Sequence, residues 1–170
     1  MTSTAISSTI RTKNNGGFYT ILKATLLAGS LDIIIAMLQY YLTSHKNPEL
    51  VLKFIASAVF GAPAFSGGIG MSLTGLLFHF LVTFVWATIF FFIYPWLNAL
   101  IKNCIITGVV YAIVIWLVMN FMVVPLSNVP RAPFNITQAL AGTAILIVAV
   151  GIPFALIVRN FYNRADRANH

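Results

Sequence analysis

Apolar residues along this chain come in long runs rather than in alternation. Four of these runs, roughly 18–42, 69–94, 104–126 and 136–158, are long enough to cross a bilayer as helices, since a ~30 Å hydrocarbon core takes about 20 residues at 1.5 Å each. Charge inside them is almost confined to Lys23, near one end, and Asp32. The intervals between them carry breakers and polar residues: Asn47-Pro48, Asn98, Lys102-Asn103, and the stretch from Pro125 to Pro133. Residues 49–66 fit neither class. Asn47 and Pro48 mark a helix start, Glu49 suits the positive dipole end and Gly61 suits a stop, which gives a helix of about 12 residues or ~18 Å. That is too short to span, so it is expected to lie at the interface or to be re-entrant; a fifth crossing, the alternative, would put the termini on opposite sides. The predicted fold class is all-α, an integral membrane four-helix bundle with a short helix between helices one and two.

Composition points the same way. Of the 170 residues, 59% are hydrophobic and only 8% charged, against about 25% charged in a soluble domain. Lipid-facing positions remove the need for a charged surface, so the expected partner is the lipid bilayer. The Ser/Thr-rich residues 1–17 read as a flexible cytoplasmic tail, 18–165 as a single transmembrane domain and 166–170 as a C-terminal tail. The first apolar run exceeds the 7–15 residues of a signal-peptide core and is expected to be retained. The net charge of +7 comes from Lys and Arg that mostly flank apolar runs, a positive-inside bias rather than a nucleic-acid surface. With both termini inside, Arg11, Lys13, Lys23, Lys102, Arg159, Arg164 and Arg167 are cytoplasmic, and Lys46, Lys53 and Arg131 are outside. Seven against three favours N-in, C-in. Tyr94, Trp96, Phe161 and Tyr162 near helix ends suit an aromatic belt.

At 100° per residue, small and polar residues gather on single faces. In helix one these are Thr25, Gly29, Asp32, Ala36 and Gln39; in helix two Gly68, Ser72, Gly75, His79, Thr83 and Trp86; in helix four Thr137, Ala141, Ala144, Val148, Gly151 and Ala155. Such residues let helix backbones approach closely in lipid, so Gly29, Gly68, Ser72, Gly75, Ala141 and Gly151 are predicted packing positions. In helix three Gly108 and Ala112 share a side, and Asn120 sits with Trp116 on another. Gly151-Ile152-Pro153 should kink helix four.

Asp32 and His79 are the sharpest functional candidates. An Asp at a helix centre costs about 2.5–3.5 kcal/mol on insertion scales, offset here by ten Leu and Ile between Ile21 and Leu42. Asp32 lies 10 residues before the outer end of helix one at Leu42, and His79 lies 10 residues after the start of helix two at Ile69. Adjacent antiparallel helices would bring them to similar depth, about 15 Å below the outer edge. They are read as substrate- or proton-binding candidates with Asn120 completing the cluster; the bland reading is an interhelical hydrogen bond that fixes register. No G-x-S-x-G or second carboxylate supports a hydrolase. Three His, two of them in a loop and a tail, and the lone Cys104 support neither a metal site nor a disulfide. No cofactor is implied. The sequence therefore predicts a non-enzymatic transport or permeation protein, or alternatively an accessory or assembly subunit of a larger membrane complex. A homodimer would widen the narrow path that four helices enclose.

The order of features resembles the YagU-like family of uncharacterised bacterial inner-membrane proteins. The likeness rests on Gly29-Ser30-Leu31-Asp32 in helix one, Gly75-Leu76-Leu77-Phe78-His79 opening helix two, Phe121-Met122-Val123-Val124-Pro125-Leu126 closing helix three, and a basic end to helix four. It covers roughly 18–165, and the chain lacks that family's longer insert between the first two helices. The resemblance implies a bacterial inner membrane location and assigns no biochemical activity.

Overall fold

The computed structural model describes residues 2–129 and 135–167, with side chains from Gly16 onward. The tail expected over 1–17 thus lies, up to residue 15, outside the described side chains. Arg131, with the rest of 130–134, and residues 168–170 are outside the described residues. What is described is helical: α1 (Thr2–Ser44), α2 (Glu49–Phe60), α3 (Pro63–Ser66), α4 (Ile69–Ile101), α5 (Cys104–Val118), α6 (Val124–Leu126), α7 (Ile136–Leu146) and α8 (Ile152–Arg167). A π-helical turn joins α5 to α6 over Met119–Val123, and another joins α7 to α8 over Ile147–Gly151. Four stretches are long and apolar enough to cross a membrane: Gly16–Ser44, Ile69–Ile101, Cys104–Leu126 and Ile136–Arg167. They are called spans one to four below. Spans one and three each pack between spans two and four, and spans two and four also touch across the bundle.

Local chemistry explains the boundaries. Asn103 caps α5 by accepting from the N–H groups of Ile105 and Ile106, and Asn135 caps α7 by accepting from Thr137 and Gln138. Both satisfy donors that a helix start leaves orphaned. Gly61, at φ 65°, stops α2 after the expected 12 residues.

Span two runs past the expected end at 94 to Ile101 and carries Pro95 inside it. An interior Pro has no N–H to offer the carbonyl four residues back. Here the Tyr162 hydroxyl donates to the Phe91 carbonyl at 3.0 Å and takes the place of that bond. Tyr94 and Tyr162, expected in an interfacial belt, stack on one another at 5.6 Å, with Tyr94 buried. Nearness to a helix end in sequence does not say which way a ring points. Trp96, by contrast, is 82% exposed.

The kink expected at Pro153 takes the form of the π-turn just before it, and Pro125 is preceded by its counterpart. A π-turn inserts a residue, so it rotates everything on one side of it relative to the other. This overturns the helix-four stripe: Thr137, Ala144 and Val148 are exposed, Ala141 is half-buried, and only Gly151 and Ala155 are buried. The buried set is Ala149, Val150, Gly151, Phe154, Ala155 and Val158. Gly151 lies against Gly108, and a Cβ on either would strike the other's carbonyl oxygen.

The halves of the bundle are packed differently. Toward the chain termini Phe90 sits among Tyr94, Tyr111 and Phe154, with ring centroids 4.6 to 5.9 Å apart, and Ala24, Ala28 and Ala87 fill the space beside them. The opposite half opens into a cavity.

Candidate functional site

The cavity has a volume of about 850 Å³ and touches all four spans and α2. Asp32, Ala36 and Gln39 line it from span one, and His79, Thr83 and Trp86 from span two. Trp116, Asn120 and Phe121 face it from span three, with Gln138, Gly142 and Val150 from span four. The faces predicted for helices one and two therefore meet one space in their middle parts. The same volume falls within the ~300–1,000 Å³ of small-molecule sites.

Gly29 brings the first two spans together. A Cβ there would lie 2.9 Å from Phe80 Cε1, so only glycine leaves room for that ring. At this approach His79 Nε2 lies 2.9 Å from the Gly29 carbonyl oxygen and donates to it. Gly29 is one turn before Asp32, so the depth match between Asp32 and His79 is seen to within a turn. They do not form a direct ion pair: among the described residues the one ion pair within 4.0 Å is Lys53–Glu49. His79 spends Nε2 on the backbone, and no described side chain donates to the Asp32 carboxylate, which lies on the cavity wall. Asn120 lines the same wall, while its Nδ2 donates to the Trp116 carbonyl at 2.9 Å in its own helix. All three candidates thus share one space, and among the described residues neither carboxylate oxygen of Asp32 meets a donor, whereas His79 and Asn120 each commit one nitrogen to a backbone carbonyl.

The first half of the span-two stripe serves another purpose. Ser72 Oγ donates to Glu49 Oε1 at 2.5 Å, and Gly75 lies under the Leu52 carbonyl, so both seat α2 on α4. Phe60 stacks on Phe78 at 6.2 Å further along. These contacts advance together along the two helices, so α2 and α4 run in the same sense. Gly68 meets nothing within 4 Å and is not a packing position; it precedes the first turn of α4. The Ser72 hydrogen bond, followed by the Lys53 ammonium, holds the Glu49 carboxyl below its ordinary range. Asn128 pins the other end of α2 through its backbone N–H to Ala58 O and its Nδ2 to Val59 O, both at 3.0 Å. Phe54 of α2 and buried Val129 then form part of the cavity rim.

Sequence reading missed Glu49 as the partner of Ser72, and missed Phe54, Asn135 and Gln138 as cavity residues. The i,i+4 spacing of Glu49 and Lys53 announces only their own ion pair, and no spacing ties Glu49 to Ser72. Trp116 was legible as sharing a side with Asn120, and that side is the cavity side. Chemically, the site offers one carboxylate, neutral amides and an aromatic wall; among the described residues no group of three metal-binding side chains is present. No protein-family profile, curated protein or solved structure matches the chain, so the YagU-like resemblance rests on the residues quoted for it.

Proposed function

We propose that this chain is a multi-pass membrane protein of the transport or permeation class, with Asp32 and His79 as the polar site of a solute pathway. The single observation carrying this reading is that Asp32, His79, Gln39 and Asn120 line one cavity of about 850 Å³. An ionisable group at this depth is costly, and a register-fixing role needs only the His79–Gly29 bond, which leaves Asp32 unexplained. The cavity lies in the half away from the chain termini, and the aromatic core closes the other half. Such an arrangement suits one state of an alternating-access cycle better than an open pore. The charge asymmetry orients the cavity outward from a bacterial inner membrane with both termini cytoplasmic, and a homodimer would enlarge the path.

The alternative, an accessory subunit docking a larger complex through its small-residue faces, is less favoured. Gly29, Gly75 and Gly151 are covered by Phe80, Leu52 and Gly108 of the same chain.

Potassium-loaded proteoliposomes with valinomycin and an internal pH dye test the reading. Wild-type protein should admit protons faster than empty vesicles. Asp32→Asn, at equal helicity and elution volume, should fall to the empty-vesicle rate. Equal rates for Asp32→Asn and wild type would sink it.

A further inference from the structure

Resting on that reading, we infer that the cavity accepts a monovalent organic cation with an apolar body, its charge opposite Asp32. Three observations converge. First, among the described residues lining the cavity Asp32 is the one carboxylate, and no Lys or Arg faces it. With no described ion-pair partner within 4.0 Å, a proton or a cationic ligand can supply its countercharge, because an ionised carboxylate in a low-dielectric site is costly unless paired. His79, the nearest basic group by helix register, donates Nε2 to the Gly29 carbonyl and stands beyond ion-pair distance of Asp32. Secondly, the walls carry Phe54, Trp86, Trp116 and Phe121, and aromatic faces attract alkylammonium groups, Trp most strongly. Trp116 and Phe121 stand edge to face with centroids 6.1 Å apart. Thirdly, the space is wrong for a bare metal ion. Ca²⁺ takes six to eight oxygens at ~2.3–2.6 Å, whereas this cavity has one carboxylate and a mostly apolar wall. Gln39, Asn120 and Gln138 add neutral polar groups that orient a ligand without changing the charge balance.

Benzyltrimethylammonium, titrated calorimetrically into the full chain in lipid nanodiscs, is the probe. Wild type should bind it and ignore benzylsulfonate and sodium. Asp32→Asn should weaken binding at least tenfold, and Asp32→Glu should restore most of it, which separates charge from folding. Trp116→Leu should weaken binding roughly three- to tenfold. Undiminished binding by folded Asp32→Asn overturns the inference, as does tighter binding of benzylsulfonate than of the ammonium. The two readings fail separately. Asp32-dependent proton entry without ammonium binding removes this ligand class and leaves transport standing. Asp32-dependent ammonium binding without proton entry keeps the cation pocket and removes transport.

Discussion

Tyr162 shows how one side chain can make a helix possible elsewhere in the chain. Pro95 should end or break α4, yet the helix continues to Ile101, because the Phe91 carbonyl finds the Tyr162 hydroxyl instead of a backbone N–H. In lipid such a carbonyl has no water to turn to. Tyr162→Phe should therefore destabilise the protein by about 1–3 kcal/mol, the cost of leaving a buried acceptor unpaired. In a Pro95→Ala background, where the backbone donor returns, the same change should cost under half as much. A denaturation double-mutant cycle in detergent reads the coupling, and purely additive effects would contradict this account. None of it was visible beforehand, since Pro95 and Tyr162 lie far apart in sequence. Asp32 was legible because a carboxylate amid ten Leu and Ile is conspicuous by cost alone. That no described residue pairs with it was not, because whether His79 meets Asp32 or the Gly29 carbonyl depends on how closely the two helices approach at Gly29 and Phe80.

At the scale of elements, α2 and the two π-turns matter most. The Glu49–Ser72 bond ties α2 to α4, and it holds the Glu49 carboxyl below its ordinary range. A group lowered on folding contributes stability that is complete above its unfolded pKa and is lost as pH falls through the folded value. Hydrogen exchange of the 49–60 amides, corrected for intrinsic chemistry, should accelerate as the pH falls below the ordinary glutamate value of 4.5 and on through the lower folded value, and Ser72→Ala should blunt that response. Pronounced acid loosening in Ser72→Ala equal to that of wild type would rule out this tie. The π-turn over Ile147–Gly151 makes a different demand. An uninterrupted helix would group Ala141, Ala144 and Val148 on the packed face, whereas Ala139 and Ile145 line the cavity and Ala144 and Val148 are exposed. With Cys104 replaced by Ser, single cysteines at 139 and 145 should react with a water-soluble thiol reagent in vesicles. Those at 144 and 148 should stay unmodified. The reverse pattern would restore the unbroken stripe. Both π-turns end two residues before a proline, Pro125 and Pro153, so the proline signal was present; its translation into an inserted residue rather than a bend was not.

For the whole molecule, the sidedness prediction follows from charge: reporter tags placed after Arg167 and near Arg131 should report opposite compartments, with the C-terminal one cytoplasmic. Tags on the same side would require an even number of crossings between them and a different fold. The four apolar stretches, the Asn and Gly residues that bound them and the 12-residue α2 could all be read from the chain alone. Each depends on local quantities, namely run length, capping chemistry and backbone freedom, that neighbours in sequence supply. The division into a packed aromatic half and an open half belonged to the tertiary structure. So did the seating of α2 on Ser72 and Gly75, and the commitment of His79 to a backbone carbonyl. These depend on which small residue lies opposite which large one across two helices, and apolar sequence carries almost no record of that pairing, because in lipid either face of a greasy helix can be turned inward at little cost.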